Sequence, residues 1–435
     1  MNFRELHLWF VADRASPIHV GVLTKSATGP GIALRYADGW MNSGFALSED
    51  LPLRDQLFLP PSRQQGGQPV AVGAIDDARP DRWGERVIEW VINPGRNSLM
   101  EFLYFAGDDR FGALGVSTSA TRYEPAPLGP LPTIDKAQKI SEVAAKIEEG
   151  QSVSKAEAQV LHGGGTLGGV KPKALVQIDG IEWILKFNSQ GSNVDTSLLE
   201  HATMTMAAKA GIDVARTQPI RLVDGHAIAI RRFDRAADGK GRLHALSAGT
   251  ALRAANVEPA EFGYPELAQL LRRLGAPGVT DRDGVELFRR MVFNILVENT
   301  DDHEKNHALL VADPWKHGRM QLAPAYDVLP AMSGQGHQQF KCGALGSESS
   351  LANAMTMCED FGLPPPAAAE EVVRLIGIVN GWRDHFRSCG VSGADMKTLQ
   401  GWLDSGEKKE ERQQFSPKDH LRSGRPKRRN PFSLR

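Results

Sequence analysis

Asp301-Asp302-His303-Glu304-Lys305-Asn306, followed after a short polar stretch by Tyr326-Asp327, holds the side chains of this 435-residue chain best suited to moving a phosphoryl group. Asp, four residues, Asn is the spacing of a loop whose carboxylate orients a substrate hydroxyl and takes its proton. The Asn and a later Asp then hold magnesium against nucleotide phosphates. Asp301 and Asn306 have this spacing, and Asp302 is one residue short of it. Asp301 is therefore the candidate catalytic base, with Asn306 and Asp327 as candidate metal ligands. A solvated loop or a helix cap would use the same residue types, so the motif needs support from the rest of the chain.

The elements around the loop suit that role. Leu287/Phe288, Met291/Val292 and Ile295/Leu296 recur at helical spacing and predict a helix with a buried face, which ends where Asn299-Thr300-Asp301 begins. Ala308–Val311 and Met320–Ala323 read as a hairpin around the turn signal Asp313-Pro314-Trp315-Lys316-His317-Gly318. Asp327 then emerges just past the second strand.

Phosphoryl transfer of this kind also needs a nucleotide-binding region upstream. Gly163-Gly164-Gly165-Thr166-Leu167-Gly168-Gly169-Val170-Lys171-Pro172-Lys173 runs into the strand-like Ala174–Ile178. Its backbone amides can approach phosphate oxygens because side chains are few. It is no Walker loop, since it lacks the Gly-Lys-Ser/Thr ending and precedes a strand; a glycine-rich surface turn is the competing reading. Lys186 lies in the apolar run Ile184–Phe187, where an ammonium is costly without an anion. The partner is a nucleotide phosphate or a carboxylate, and Glu200 on the next predicted helix gives a candidate Lys186–Glu200 pair of the protein-kinase kind. The competing reading sends Lys186 to solvent from an edge strand. His226–Arg235 is an apolar strand running into charge: either a hinge beside an adenine ring, or a basic surface patch of Arg231, Arg232 and Arg235.

Taken in order, the glycine loop, Ile184-Leu185-Lys186, Arg232-Phe233-Asp234-Arg235, Asn299-Thr300-Asp301-Asp302-His303-Glu304-Lys305-Asn306 and Ala323-Pro324-Ala325-Tyr326-Asp327 resemble the HipA-type serine/threonine kinases, toxins of type II toxin-antitoxin systems. Leu51–Arg54, Asp81–Arg86 and Gly107–Gly115 resemble the N-terminal signatures of that family, and the likeness reaches about residue 400. It implies an α+β, bilobal protein-kinase-like fold with an added strand-rich N-terminal module, and ATP and Mg2+ as cofactors.

By the same resemblance, Asp301 is the base and Asn306 and Asp327 hold magnesium. Gly168, Gly169, Val170, Lys171, Pro172 and Lys173 form the phosphate-binding loop, Lys186 contacts the nucleotide, and Ile230, Arg231, Arg232 and Phe233 line the adenine side. His303, Lys305 and Tyr326 contribute to the nucleotide site. The implied partners are a protein substrate, typically an aminoacyl-tRNA synthetase, and a small helix-turn-helix antitoxin through which operator DNA is reached. Two departures stand out. Thr166 occupies the place of a serine that relatives autophosphorylate, and Arg231 stands where some relatives have an acidic residue. A catalytically idle co-repressor gripping the antitoxin on DNA is the alternative, although Lys186, Asp301, Asn306 and Asp327 are costly charges for a pure scaffold.

The length suggests two or three domains. Residues 1–118 read as a strand-rich module, 119–160 as a linker and amphipathic helix, 161–270 as the nucleotide-binding lobe, and 271–405 as a helical catalytic lobe. From Gly406 the chain turns charged and reads as a disordered basic tail, 406–435. Net charge is −1, which gives no sign of a stand-alone DNA binder. No apolar stretch approaches the ~18 residues of a membrane span. Cys342, Cys358 and Cys389 lack metal-ligand spacing and fit a reducing cytoplasm.

Overall fold

A computed structural model describes residues 3–26, 31–60, 71–161, 171–188, 191–239, 241–311, 313, 315 and 318–420. The fold is α+β and divides into two compact units. One comprises Met1–Gly191, Ile220–Leu246 and Leu310–Gly318, and the other Ser192–Pro219, Ser247–Leu309 and Arg319–Arg435. The N-terminal module and the strands expected to bind nucleotide fall in the same unit.

In the first unit β1 (Glu5–Phe10), β2 (Ile18–Lys25), β3 (Ile32–Tyr36), β4 (Leu57–Phe58) and β5 (Leu114–Ser117) form a sheet in the order β4-β3-β2-β1-β5. Every pairing is antiparallel. Phe10 packs against Trp40, Phe45 and Trp315, so the tryptophan of the turn after Val311 joins the aromatic cluster beneath this sheet.

A second sheet in the same unit contains β6 (Lys173–Ile178), β7 (Ile181–Phe187) and the strand His226–Arg231, with β7 in the centre. Successive strand residues point to opposite faces. Ala174, Val176, Trp183, Leu185, Phe187, Ala227 and Ala229 pack on one face against Ile140, Val143, Ala144 and Ile147 of the helix Ala137–Glu148. The linker before this helix is held down: Gln177 N–H donates to Pro132 O at 2.8 Å, and the Tyr123 hydroxyl donates to Asp108.

The second unit is mainly helical. The predicted helix around 285–296 spans Thr280–Leu296, and the apolar run 367–387 divides into Pro365–Asn380 and Trp382–Ser388 at Gly381. Arg289 on the first of these makes a two-point contact with Glu371 on the second, at 2.9 and 3.0 Å.

The expectation of an unfolded tail from Gly406 is corrected by a helix over Gly406–Gln414, capped by Ser405. Two of its cations meet specific partners. Arg412 is buried and donates to Asp404 and Leu403 O, while Lys408 lies 2.9 Å from Glu298 and donates to Ser349 O. Residues 421–435 lie outside the described residues. Among the described residues no helix is long and apolar enough to cross a membrane.

Candidate active site

The helix Thr280–Leu296 fixes both segments of the loop motif within the second unit. Past its C-terminal end Glu298 adopts a left-handed backbone (φ 58°), and Asn299 returns to Asn294 through its N–H (2.9 Å) and its side-chain amide (3.2 Å). This reversal lets Asp301 leave the helix axis. Further back, Asp283 accepts from Leu322 N–H at 2.7 Å, and Arg290, braced on Glu286, donates to Ala323 O at 2.8 Å. Ala325 bonds both ways with the segment after the helix Thr196–Lys209, to Asp213 O and from Ala215 N–H. Tyr326 and Asp327 are thus carried on a strand end held by charged side chains of the same helix.

The two adjacent aspartates have opposite fates. Asp301 is exposed and Asp302 is 2% exposed. Asp302 accepts from the Tyr264 hydroxyl and lies 3.2 Å from His307 Nε2, so that ring nitrogen carries the proton. Asn294 donates to the Tyr264 oxygen at 2.9 Å. Burial first, and the neighbouring Asp302 second, push the Tyr264 hydroxyl well above its usual range, which keeps it a donor. The Phe340 ring stacks on His307 with centroids 5.3 Å apart, and the Phe340 N–H donates to Asp302 O at 3.1 Å.

Around Asp301, the Asn306 side-chain nitrogen donates to Asp301 O at 3.2 Å, leaving an amide oxygen with the chemistry of a hard-cation ligand. The Tyr326 hydroxyl donates to Lys305 O at 2.6 Å, tying the Tyr-Asp segment to the loop. His303 accepts the Lys305 N–H at 3.2 Å and caps the short turn Glu304–Asn306. Asp327 has φ 59°, a left-handed conformation that an aspartate tolerates better than most residues. Such backbone strain clusters at functional sites. Sequence reasoning missed Gln339, whose side-chain N–H donates to Asp301 Oδ1 at 2.7 Å. The sequence offers no signal for it, since Gln338 and Gln339 are alike until the fold buries the first and exposes the second.

The glycine-loop, Lys186 and hinge residues expected to meet the nucleotide lie in the first unit. Lys173 and Lys186 are direct cross-strand partners in β6 and β7, so both side chains share the sheet face opposite the helix Ala137–Glu148. Both are buried, and β7 is no edge strand, which removes the reading of Lys186 as a solvent-facing edge lysine. Two like charges directly opposite one another repel unless anions lie near. Ile228 and Ile230 share that face through their pairing with Lys186 and Ile184. Lys171 is exposed and Pro172 O accepts Phe187 N–H at 3.2 Å; Thr166, Gly168, Gly169 and Val170 lie outside the described residues. Glu200 is buried on the helix Thr196–Lys209 of the other unit.

Arg232 and Arg235 are not a surface patch. Both are buried, and Arg232 donates to Asp234, to Asp109 O at 2.8 Å and to Arg110 O at 2.5 Å. Arg235 donates to Glu182 at 2.7 Å and to Arg110 O at 3.0 Å. Phe233 meets Phe111 edge-on, centroids 6.2 Å apart. The guanidinium of Arg232, expected beside adenine, is thus engaged with the Gly107–Gly115 segment. Arg231 donates to Ala237 O at 2.9 Å.

Comparison with known proteins adds the family context. Residues 165–382 match the HipA-like C-terminal domain and residues 14–117 the HipA N-terminal domain. The "Putative kinase Y4mE" of Sinorhizobium fredii is 26% identical over 86% of this chain and 90% of its own length. The "Putative kinase Y4dM" of the same organism is 31% identical over 34% of this chain and 37% of its own. Among solved structures, HipA in the Shewanella oneidensis MR-1 complex of HipA, HipB and operator DNA superposes with a TM-score of 0.60 at 18% identity. That match covers 92% of this chain and 95% of the other, and it shows a shared fold.

Proposed function

Since the chain belongs to the HipA family, we propose that it is an ATP-dependent protein serine/threonine kinase acting as the toxin of a toxin-antitoxin pair. The observation carrying this reading is the split between Asp301 and Asp302: one carboxylate is buried as an anchor and its neighbour is left outward, tied to the Asn306 amide through its backbone. A loop with only a structural task has no need of a second, exposed carboxylate next to the anchor, nor of a left-handed backbone at Asp327, whose neighbour Tyr326 is tied to the same loop.

In this reading Asp301 aligns the hydroxyl of a serine or threonine and accepts its proton as the oxygen attacks the terminal phosphorus of ATP, whose bond to the β–γ bridging oxygen breaks so that ADP leaves. Asn306 and Asp327 supply oxygen ligands of the kind magnesium prefers. The ion, when bound, neutralises phosphate charge. Lys173 and Lys186 offer two ammoniums side by side on one sheet face, a setting suited to phosphate oxygens. Glu200 remains the proposed carboxylate partner of Lys186, and Ile230 would lie toward the base. The gain comes from positioning and charge stabilisation more than from covalent chemistry.

The substrate belongs, on this reading, among translation components such as an aminoacyl-tRNA synthetase. The partner is a small helix-turn-helix antitoxin bound to operator DNA, in keeping with the Shewanella HipA, which forms a complex with HipB and its operator DNA. The test is phosphate transfer from labelled ATP with Mg2+ into proteins of a cell lysate. Wild type labels a discrete protein and Asp301→Gln labels none while keeping its thermal midpoint. Equal labelling by both removes Asp301 from its role. No labelling by wild type leaves the co-repressor reading in its place.

A further inference from the structure

We infer that Gln339 is a positioning residue for Asp301, setting the rotation of its carboxylate toward the substrate hydroxyl; this rests on the kinase reading above. Gln339 Nε2 donates to Asp301 Oδ1 at 2.7 Å. A carboxylate only accepts, so the amide must present its nitrogen. The contact follows from a backbone bond between the loop and the segment that carries Gln339. Phe340 N–H donates to Asp302 O at 3.1 Å, which sets residues 339 and 301 next to each other on the outward side of that bond.

The backbone at 339 is held on both flanks. Gln338 is 1% exposed, its N–H donates to Ser347 O at 2.7 Å, and its side chain donates to Ser349 Oγ at 3.0 Å. Phe340 is fully buried between the rings of His307 and Tyr264, with centroids 5.3 and 5.1 Å away. Those same two side chains hold Asp302. Gln338 and Phe340 are thus both buried, while Gln339 between them is exposed, with its amide on Asp301.

The consequence is chemical. An exposed carboxylate rotates about its last torsion, which is broad and roughly two-fold. A donor fixed on Oδ1 stops that rotation and reserves the other oxygen, Oδ2, for the incoming hydroxyl. Gln339 touches neither substrate nor nucleotide in this role; it acts through Asp301.

Two measurements on the full chain test it. With 15N-glutamine labelling, the Gln339 side-chain amide signals are identified by their loss in Gln339→Leu. One of the two protons is expected downfield in wild type and at the ordinary exposed-amide position in Asp301→Ala. Identical positions in both overturn the pairing. In steady-state kinetics, Gln339→Ala and Gln339→Leu are expected to lower kcat at least ~10-fold, the scale of a misaligned catalytic group, with KM for ATP and the thermal midpoint unchanged. An unchanged kcat, or a fall that follows a lowered midpoint, overturns the positioning role. A wild-type protein that transfers no phosphate refutes the kinase reading and the positioning role with it, while the amide spectra still decide whether Gln339 and Asp301 pair.

Discussion

The Gly112 N–H donates to the buried carboxylate of Asp234 at 2.8 Å, joining the N-terminal module to the strand end that carries Arg232 and Arg235. Gly112 has φ +75°, a conformation that favours glycine, and this turn aims its amide at the carboxylate. Around that bond Arg232, Arg235 and Glu182 complete a desolvated ion cluster with the carbonyls of Asp109 and Arg110.

Removing one member of such a cluster strands the others. Asp234→Ala leaves two buried guanidinium groups short of an acceptor, and the expected loss is about 3–5 kcal/mol, typical of a broken buried pair. Urea denaturation of the variant measures it. A loss under ~1 kcal/mol would show that the cluster adds nothing to the first unit's stability.

Acid should weaken the same cluster. Burial alone would raise the Asp234 and Glu182 carboxyls, but Arg232 and Arg235 outweigh it and hold both below their usual ranges. A depressed folded-state value stabilises the fold above the unfolded carboxylate value of about 4, and that contribution fades as pH falls through the folded values. The thermal midpoint is therefore expected to hold from neutral pH to ~5 and to fall below ~4, with a shallower fall in Asp234→Asn. A midpoint that rises on acidification contradicts the assignment.

The anchor beneath Asp301 makes its own prediction. Asp302→Ala leaves the Tyr264 hydroxyl and the His307 N–H without their acceptor, each costing about 1–3 kcal/mol when buried. Activity falls as well, because the loop backbone loses its fixed point. Tyr264→Phe takes one of two donors from Asp302 and the acceptor from the Asn294 amide, and is expected to cost about 1–3 kcal/mol, less than Asp302→Ala. Denaturant midpoints that rank the two variants in reverse would mean that Asp302 is not the centre of this network.

Nucleotide binding is the measurement that separates the role proposed for the lysines from that proposed for Asp301. A ligand that binds the native state raises the thermal midpoint by mass action. With MgATP, wild type and Asp301→Gln are expected to show the same rise, and Lys186→Met to lose most of it. A full rise in Lys186→Met would take the paired-lysine face out of the nucleotide site.

The loop motif, the helix before it and the strands carrying Lys173 and Lys186 are legible because each depends on neighbours close in sequence: period, turn residues and fixed spacing. The charged stretch after Gly406 is not, since composition alone does not show that Lys408 and Arg412 have Glu298 and Asp404 waiting for them. The Arg-Phe-Asp-Arg and Gly107–Gly115 segments are visible as separate signatures, and their union is not, because nothing local records a contact between Gly112 and Asp234.

By itself the sequence determined which groups could do chemistry: a carboxylate and a carboxamide at loop spacing, a lysine in an apolar strand after a glycine-rich loop, and an aspartate past a hairpin. Tertiary structure alone decided which of two adjacent aspartates faces outward, that Gln339 stands beside it, and that Arg232 serves a buried cluster. Residue types fix chemical capacity, whereas burial and partnership depend on side chains brought together from distant parts of the chain.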